Sequence, residues 1–341
     1  MQPSDWVRSL KTVNLPRMRR HWLASVVLAL FASSFPWLSA CVAQSSKSTA
    51  GSPNPNTAAQ TQGSDPVLVG AGDIATCGQL EGAEATAKLL DKIPGTVFAV
   101  GDLAYPDGSE ENFAKCYGPT WGRHKARTRP APGNHEYRSG GSSAYSHYFG
   151  AAAGDPDKAY YSYDLGQWHV VVLNSECPEA GGCAAGSPQE KWLRQDLSQH
   201  PQLCTLAYFH KPLFSSGGKH GNDLEVKPLW DALYAAGAEI VISGHDHDYE
   251  RFAPQDPEGK SDPDHGIREF VVGTGGKDTH RPMGKPQPNS EARNDDTYGV
   301  LKLTLHSKNY DWEFVPEAGK SFTDSGSAAC HEPQKLFRRI R

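Results

Sequence analysis

Residues 96–105 read Thr96-Val97-Phe98-Ala99-Val100-Gly101-Asp102-Leu103-Ala104-Tyr105. Five uncharged residues, rich in branched and aromatic side chains and closed by Gly-Asp, form the pattern of a buried strand that opens into a polar loop. The pattern recurs along the chain. Val67-Leu68-Val69 leads to Gly72-Asp73, Leu206–Phe209 runs into His210, and Glu239–Ile242 leads to Gly244-His245-Asp246-His247. Gly133-Asn134-His135-Glu136 falls between them. In open α/β sheets, ligands gather beyond the carboxyl ends of the strands. These loops therefore offer Asp, Asp, Asn, His and His-x-His to one place. A glycine directly before most of them is expected to let the backbone turn sharply where the side chain is presented.

Outward from this frame, helices are predicted over Ala83–Lys92, over Pro188–Leu197 with Trp192, Leu193 and Leu197 on one face, and over Leu224–Ala236. Gln167–Asn174, Phe270–Val272, Val300–Leu305 and Tyr310–Val315 read as β segments. No repeat of 20–50 residues interrupts this alternation. The class is α/β with additional antiparallel strands. The 341 residues carry 34 Lys and Arg against 39 Asp and Glu, a net charge of −5. With no basic stripe, a nucleic-acid-binding surface is not expected. Hydrophobic residues make up 38% of the chain, too many for a disordered protein. A polytopic membrane protein, a coiled coil and a collagen-like fibre are excluded.

Residues 1–41 have the form of an export signal. Arg17, Arg19 and Arg20 precede an uncharged apolar run from Trp22 to Ala40, and Met18 offers a second start. Leu38-Ser39-Ala40-Cys41 resembles the lipobox of bacterial lipoproteins, which implies a lipid anchor on Cys41; an ordinary cleaved signal is the other reading. Residues 42–66 are mostly Ser, Thr, Gln, Asn, Gly and Pro with almost no large apolar residue, the composition of a disordered tether. The folded unit is expected over 67–332, followed by a basic tail at 333–341. The product is then a membrane-anchored lipoprotein, or a periplasmic or extracellular protein, touching a membrane only through Cys41. Six further cysteines, an even number in an exported chain, argue for disulfides, although six allow 15 pairings. Cys177 and Cys183 flank a Gly-rich loop and form the first pair; Cys77–Cys116 and Cys204–Cys330 follow by elimination. A zinc site is the alternative, but no CxxC spacing occurs.

The loop residues supply two carboxylates, an amide, three imidazoles and the Tyr105 phenol. Mixed O and N donors suit Fe, Mn or Zn better than Ca, and seven donors suit two ions sharing one carboxylate better than a single ion. The order GD, GDxxY, GNHE, H and GHxH, spanning 72–247 and continuing through Asp248-Tyr249-Glu250-Arg251, resembles the calcineurin-like metallophosphoesterase superfamily. Tyr105, three residues after Asp102, narrows the resemblance to its purple acid phosphatase branch.

That resemblance implies an α/β/β/α sandwich of two mixed β-sheets flanked by helices, with the metal site at the carboxyl ends of the strands. It implies a first metal, Fe3+, on Asp73, Tyr105 and His247. A second, Fe2+, Zn2+ or Mn2+, would sit on Asn134, His210 and His245, with Asp102 bridging. A metal-bound hydroxide would attack a phosphate ester, so the partner is a small phosphorylated substrate and the enzyme a phosphomonoesterase. His135 matches the histidine that protonates the leaving group, and His220 matches by spacing a histidine that touches substrate. The N-terminal fibronectin-like domain common in that branch is expected to be absent. Two other functions stay open: a metal-dependent phosphodiesterase acting on nucleotides or lipid headgroups, and a non-catalytic lipoprotein that binds a partner. The histidines outside the motifs in the folded unit, 124, 147, 169, 200, 265, 280, 306 and 331, read as surface or core residues. Asp246 and Asp248 are expected to point away from the metals, and Gly273–Gly276 to form a tight loop near the site.

Overall fold

Side-chain alternation along the central strands sorts the layers. Val170 and Val172 join one buried cluster and Val171 and Leu173 another, as do Leu206 and Tyr208 against Ala207 and Phe209. Period two sends neighbouring residues to opposite faces, so each such strand is packed on both. The computed structural model describes residues 64–202, 204–278 and 282–331. The expected leader with Cys41, the tether up to residue 63, His280 and the basic tail lie outside the described residues.

Two mixed sheets result. The first has six strands, in the order Ser325–Ala329, Asn309–Pro316, Gly299–Leu305, Val67–Ala71, Thr96–Val100, Thr128–Ala131, the last three parallel to one another. The second has seven: Ser290–Asn294, Tyr249–Phe252, Arg268–Val272, Ile240–Ser243, Cys204–Tyr208, Trp168–Val172, Tyr161–Leu165. Phe98 meets Tyr208, and Phe270 meets Trp312, across the space between the sheets. Helix Glu81–Leu90 contributes Ala83, Ala87 and Leu90 to the cluster that includes the first sheet. Helices Pro188–Gln199 and Lys227–Ala235 cover the second through Leu193, Leu229, Trp230 and Leu233. This is the four-layer sandwich expected.

Register then aligns the loops. Ala71 pairs with Ala99 and Val100 with Ala131, so Gly72-Asp73, Gly101-Asp102 and Gly133-Asn134 leave the first sheet at one level. In the second sheet Tyr208 pairs with Ile242, and Gly244 N–H donates to the His210 carbonyl (2.9 Å).

Several elements differ from the sequence reading. Leu224–Ala236 is a 3-10 turn, Leu224–Val226, followed by a separate α-helix, Lys227–Ala235. Pro228, in the first turn of that helix, has no N–H to return to the Leu224 carbonyl, so the α-helix begins anew beside it. Thr128–Ala131 was not legible as a strand because Pro130 lies within it. It stands at the sheet edge, where a residue without N–H is tolerated, and the Tyr145 and Tyr161 hydroxyls donate to the Pro130 carbonyl.

The disulfides are Cys77–Cys116, Cys177–Cys183 and Cys204–Cys330. Cys204–Cys330 spans 126 residues and ties the second sheet to the end of the last strand of the first. A closure of that length restrains the unfolded chain most. The Cys204→Ser, Cys330→Ser double variant is therefore expected to lose about 2–5 kcal/mol of stability, read by denaturant unfolding. An unchanged midpoint would mean the bond does not form. Among the described residues no helix is long and apolar enough to cross a membrane.

Candidate metal centre

Asp73, Asp102 and His245 all adopt left-handed backbone conformations, with φ of 57°, 52° and 71°. Non-glycine residues pay for that region in strain, which concentrates at functional sites. The expectation that glycine does the turning holds at Gly101 (φ 80°) and is otherwise corrected: at 73, 102 and 245 the donor residue itself adopts the left-handed conformation. Gly133 and Gly244 provide room. A Cβ on Gly133 would lie 2.4 Å from Asp102 Oδ1, and one on Gly244 would lie 2.6 Å from Asp73 Oδ2.

The donors meet in two groups. In the first, the Tyr105 hydroxyl donates to Asp73 Oδ1 (2.7 Å), and His247 Nε2 lies 3.3 Å from both. In the second, His210 Nε2 is 3.2 Å from His245 Nδ1. Asp102 Oδ2 stands between them, 3.1 Å from the Tyr105 hydroxyl and 3.3 Å from His210 Nε2. Asp102, His210 and His245 present ligand atoms within 4.8 Å of one another and could hold an ion.

In His210 and His247 a hydrogen bond on Nδ1 turns Nε2 toward the Asp102 and Asp73 carboxylates. His210 Nδ1 donates to the Val100 carbonyl (2.9 Å), and His247 Nδ1 is held at the Asp278 carbonyl and carboxylate. Such a bond on one ring nitrogen fixes the tautomer and aims the other. Burial, then the His210 and His220 rings, push His245 down to about 2, so it keeps a free lone pair. Burial, then the Asp102 and Asp73 carboxylates, push the Tyr105 hydroxyl well above its ordinary range. A phenolate there needs a highly charged cation beside it. Among the described residues the buried Asn134 Oδ1 finds no hydrogen-bond partner, an acceptor awaiting a positive group. The seven donors fit a pair of borderline to hard cations.

His135 lies beside this cluster. Its Nδ1–H donates to the Pro106 carbonyl (2.5 Å), its ring packs on Tyr105, and its Nε2 is 3.6 Å from Asp102 Oδ2. His220 packs its ring on His245 with centroids 3.9 Å apart. Both line a cleft of about 390 Å³ with Asn134, Asp102, Tyr105, His245 and His247. All nine sequence-selected residues therefore converge.

Other participants were missed. Arg138, Lys219 and Lys277 also line the cleft and give it positive charge. Glu136 is fully buried and accepts N–H bonds from Asp102 (2.8 Å), Leu103 (2.8 Å) and Gly133 (2.8 Å), with Ala104 N–H at 3.4 Å. It welds the Asp102 loop to the Asn134 loop. Its place in GNHE was the only signal for it. Asp246 points away from the donors, as expected, but has a task of its own. The Gly273–Gly276 loop is close by: Gly275 N–H donates to the Gly72 carbonyl and Lys277 N–H to that of Asp73. His169, Asp196 and His200 form a second cluster at the far edge of the second sheet. Its two rings stack 4.4 Å apart at 10°, so their in-plane lone pairs run side by side rather than converge. It is a hydrogen-bonded group, with Asp196 Oδ2 2.9 Å from His169 Nε2 and the Asp196 carbonyl 2.9 Å from His200 Nδ1.

The calcineurin-like phosphoesterase family model matches residues 67–249, more than half the chain. The chain belongs to that family. Within this phosphoesterase family its curated relatives include purple acid phosphatases of Arabidopsis thaliana. Purple acid phosphatase 21 is 29% identical over 284 residues, covering 75% of this chain and 62% of the relative. Purple acid phosphatase 18 is 30% identical over 230 residues, covering 60% and 49%. The match thus spans about half to three fifths of those relatives. A purple acid phosphatase from yellow lupin (Lupinus luteus) seeds superposes with a TM-score of 0.61 at 21% identity, covering 79% of this chain and 55% of that one, and so shares the fold.

Proposed function

We propose that this phosphoesterase is a dinuclear phosphomonoesterase of the purple acid phosphatase kind. Asp73, Tyr105 and His247 would hold the first ion, Fe3+, and Asn134, His210 and His245 the second, Fe2+, Zn2+ or Mn2+. The observation that carries the reading is Asp102 Oδ2, 3.1 Å from a donor of one group and 3.3 Å from a donor of the other, the position of a shared carboxylate. Bound ions supply Lewis acidity toward the phosphoryl oxygens and a water acidic enough to serve as nucleophile.

The remaining work belongs to the chain. Arg138, Lys219 and Lys277 attract an anionic, small phosphorylated substrate. His135, its Nδ1–H committed to Pro106, would deliver a proton from Nε2 to the leaving oxygen when the ring is protonated, a state that burial disfavours. His220 stands over His245, placed to touch the phosphoryl group. Elemental analysis with the visible spectrum tests the ions, and turnover of p-nitrophenyl phosphate against its bis-ester tests the substrate class. Preference for the bis-ester would favour a phosphodiesterase; zero turnover with both ions bound would favour a binding module.

Three disulfides support an oxidising compartment. The chain is read as exported and anchored through a lipid on Cys41. Cys41→Ser is expected to release the protein from the membrane fraction or to block its processing. Native protein found soluble, with cleavage elsewhere, would overturn the anchor and leave the catalytic reading intact.

A further inference from the structure

Asp246 stands between His245 and His247, but its carboxylate faces away from them. Oδ2 accepts hydrogen bonds from the Ser215 hydroxyl (2.6 Å) and Gly221 N–H (2.9 Å), and Oδ1 from His220 N–H (3.2 Å). Ser215 Oγ in turn accepts from Gly217 N–H (2.9 Å). One carboxylate, only 3% exposed, thus gathers the loop 215–221. The packing is tight, because a Cβ on Gly217 would lie 1.9 Å from Asp246 Cγ. The gathered loop carries Lys219 and His220, which are exposed and line the cleft. The turn that presents His245 and His247 therefore also sets the position of Lys219 and His220 over them.

We propose that Asp246 is a positioning residue that holds loop 215–221 so that Lys219 and His220 meet the phosphoryl group of the substrate. It governs substrate affinity and takes no part in holding ions. The proposal rests on the reading of the cleft as a phosphate-ester site.

Two variants of the full chain test it. Asp246→Asn places an amide donor where three donors converge. Gly217→Ala keeps the carboxylate and pushes the loop off it. Both are expected to raise KM for p-nitrophenyl phosphate by about 5- to 100-fold, the loss of one or two buried hydrogen bonds. kcat should change far less, ion content should stay at the wild-type level, and calorimetry should show weaker binding of inorganic phosphate. Trypsin should cut after Lys219 faster than in the wild type.

Unchanged KM and an unchanged tryptic rate in both variants would overturn the proposal. So would loss of ions, which would make Asp246 a support for His245 and His247. If Asp246→Asn does not fold, Ser215→Ala replaces it, with a smaller shift in the same direction. A wild type that turns over no phosphate ester would sink the phosphatase reading alone. The tryptic rate would still decide whether Asp246 holds the loop.

Discussion

Asp102→Ala is expected to empty both ion seats and abolish turnover. Asp102 Oδ2 stands 3.1 Å from a donor atom of one set and 3.3 Å from a donor atom of the other. Its Oδ1 also accepts His135 N–H (2.8 Å), so the loop that presents Asn134 loses an anchor as well. Burial alone would raise this carboxyl. The His210 ring and its hydrogen bond outweigh that and hold it well below the usual carboxylate range. The loss should exceed the ~10²-fold seen when a partner outside the ligand set is removed. Asp73→Ala should mainly empty the first seat, since Asp73 contacts Tyr105, His247 and the His245 N–H but not His210 Nε2. Ions per chain and visible absorption read both variants, with circular dichroism as the check on folding. Full ion content with near-normal turnover in Asp102→Ala would end the two-ion reading.

His135→Ala is expected to discriminate between leaving groups. A general acid matters in proportion to the charge it must neutralise on the departing oxygen. An alkyl phosphate leaves as an alkoxide and needs the proton; p-nitrophenolate hardly does. The variant should lose ~10²–10⁴-fold in kcat on an alkyl phosphate, the range for one proton-transfer group. It should lose much less on p-nitrophenyl phosphate. Ion content should hold, because His135 Nδ1 is spent on Pro106 and Nε2 stands 3.6 Å from Asp102 Oδ2, outside the two donor groups. Equal losses on both substrates with ions retained would make His135 a stabiliser of phosphoryl charge. Loss of ions would make it an orienter of the ligands, and the acid would then have to be sought at His220.

Much of the site was legible before any coordinates because its donors are short-range features of the chain. Most are fixed to the end of an apolar run, and apolar runs of four or five residues mark buried strands whatever the rest of the fold does. Asp73, Asp102, Asn134, His210, His245 and His247 could therefore be selected by their place after a strand or within a motif, and Tyr105 by its spacing from Asp102. The same local logic failed at Thr128–Ala131, where Pro130 hides a strand that an edge position tolerates. It failed again at Leu224–Ala236, where Pro228 divides an unbroken apolar periodicity.

The sequence by itself determined the α/β class, the order of the donor loops and the cysteine count that closes into three disulfides. Those depend on period, composition and position along the chain. Only the tertiary structure decided which oxygen stands between the two donor groups, that Glu136 joins two of the loops, and that Asp246 carries a third. It also decided that Arg138, Lys219 and Lys277 share one cleft. Such relations reach far along the chain, 25 positions for Gly221 with Asp246 and 172 for Asp73 with His245, and only side-chain direction in space tells a ligand from a brace. A carboxylate on a buried turn has the same local sequence whether it faces an ion or a neighbouring backbone. Strand register and the left-handed turns at Asp73, Asp102 and His245 settle which one it does.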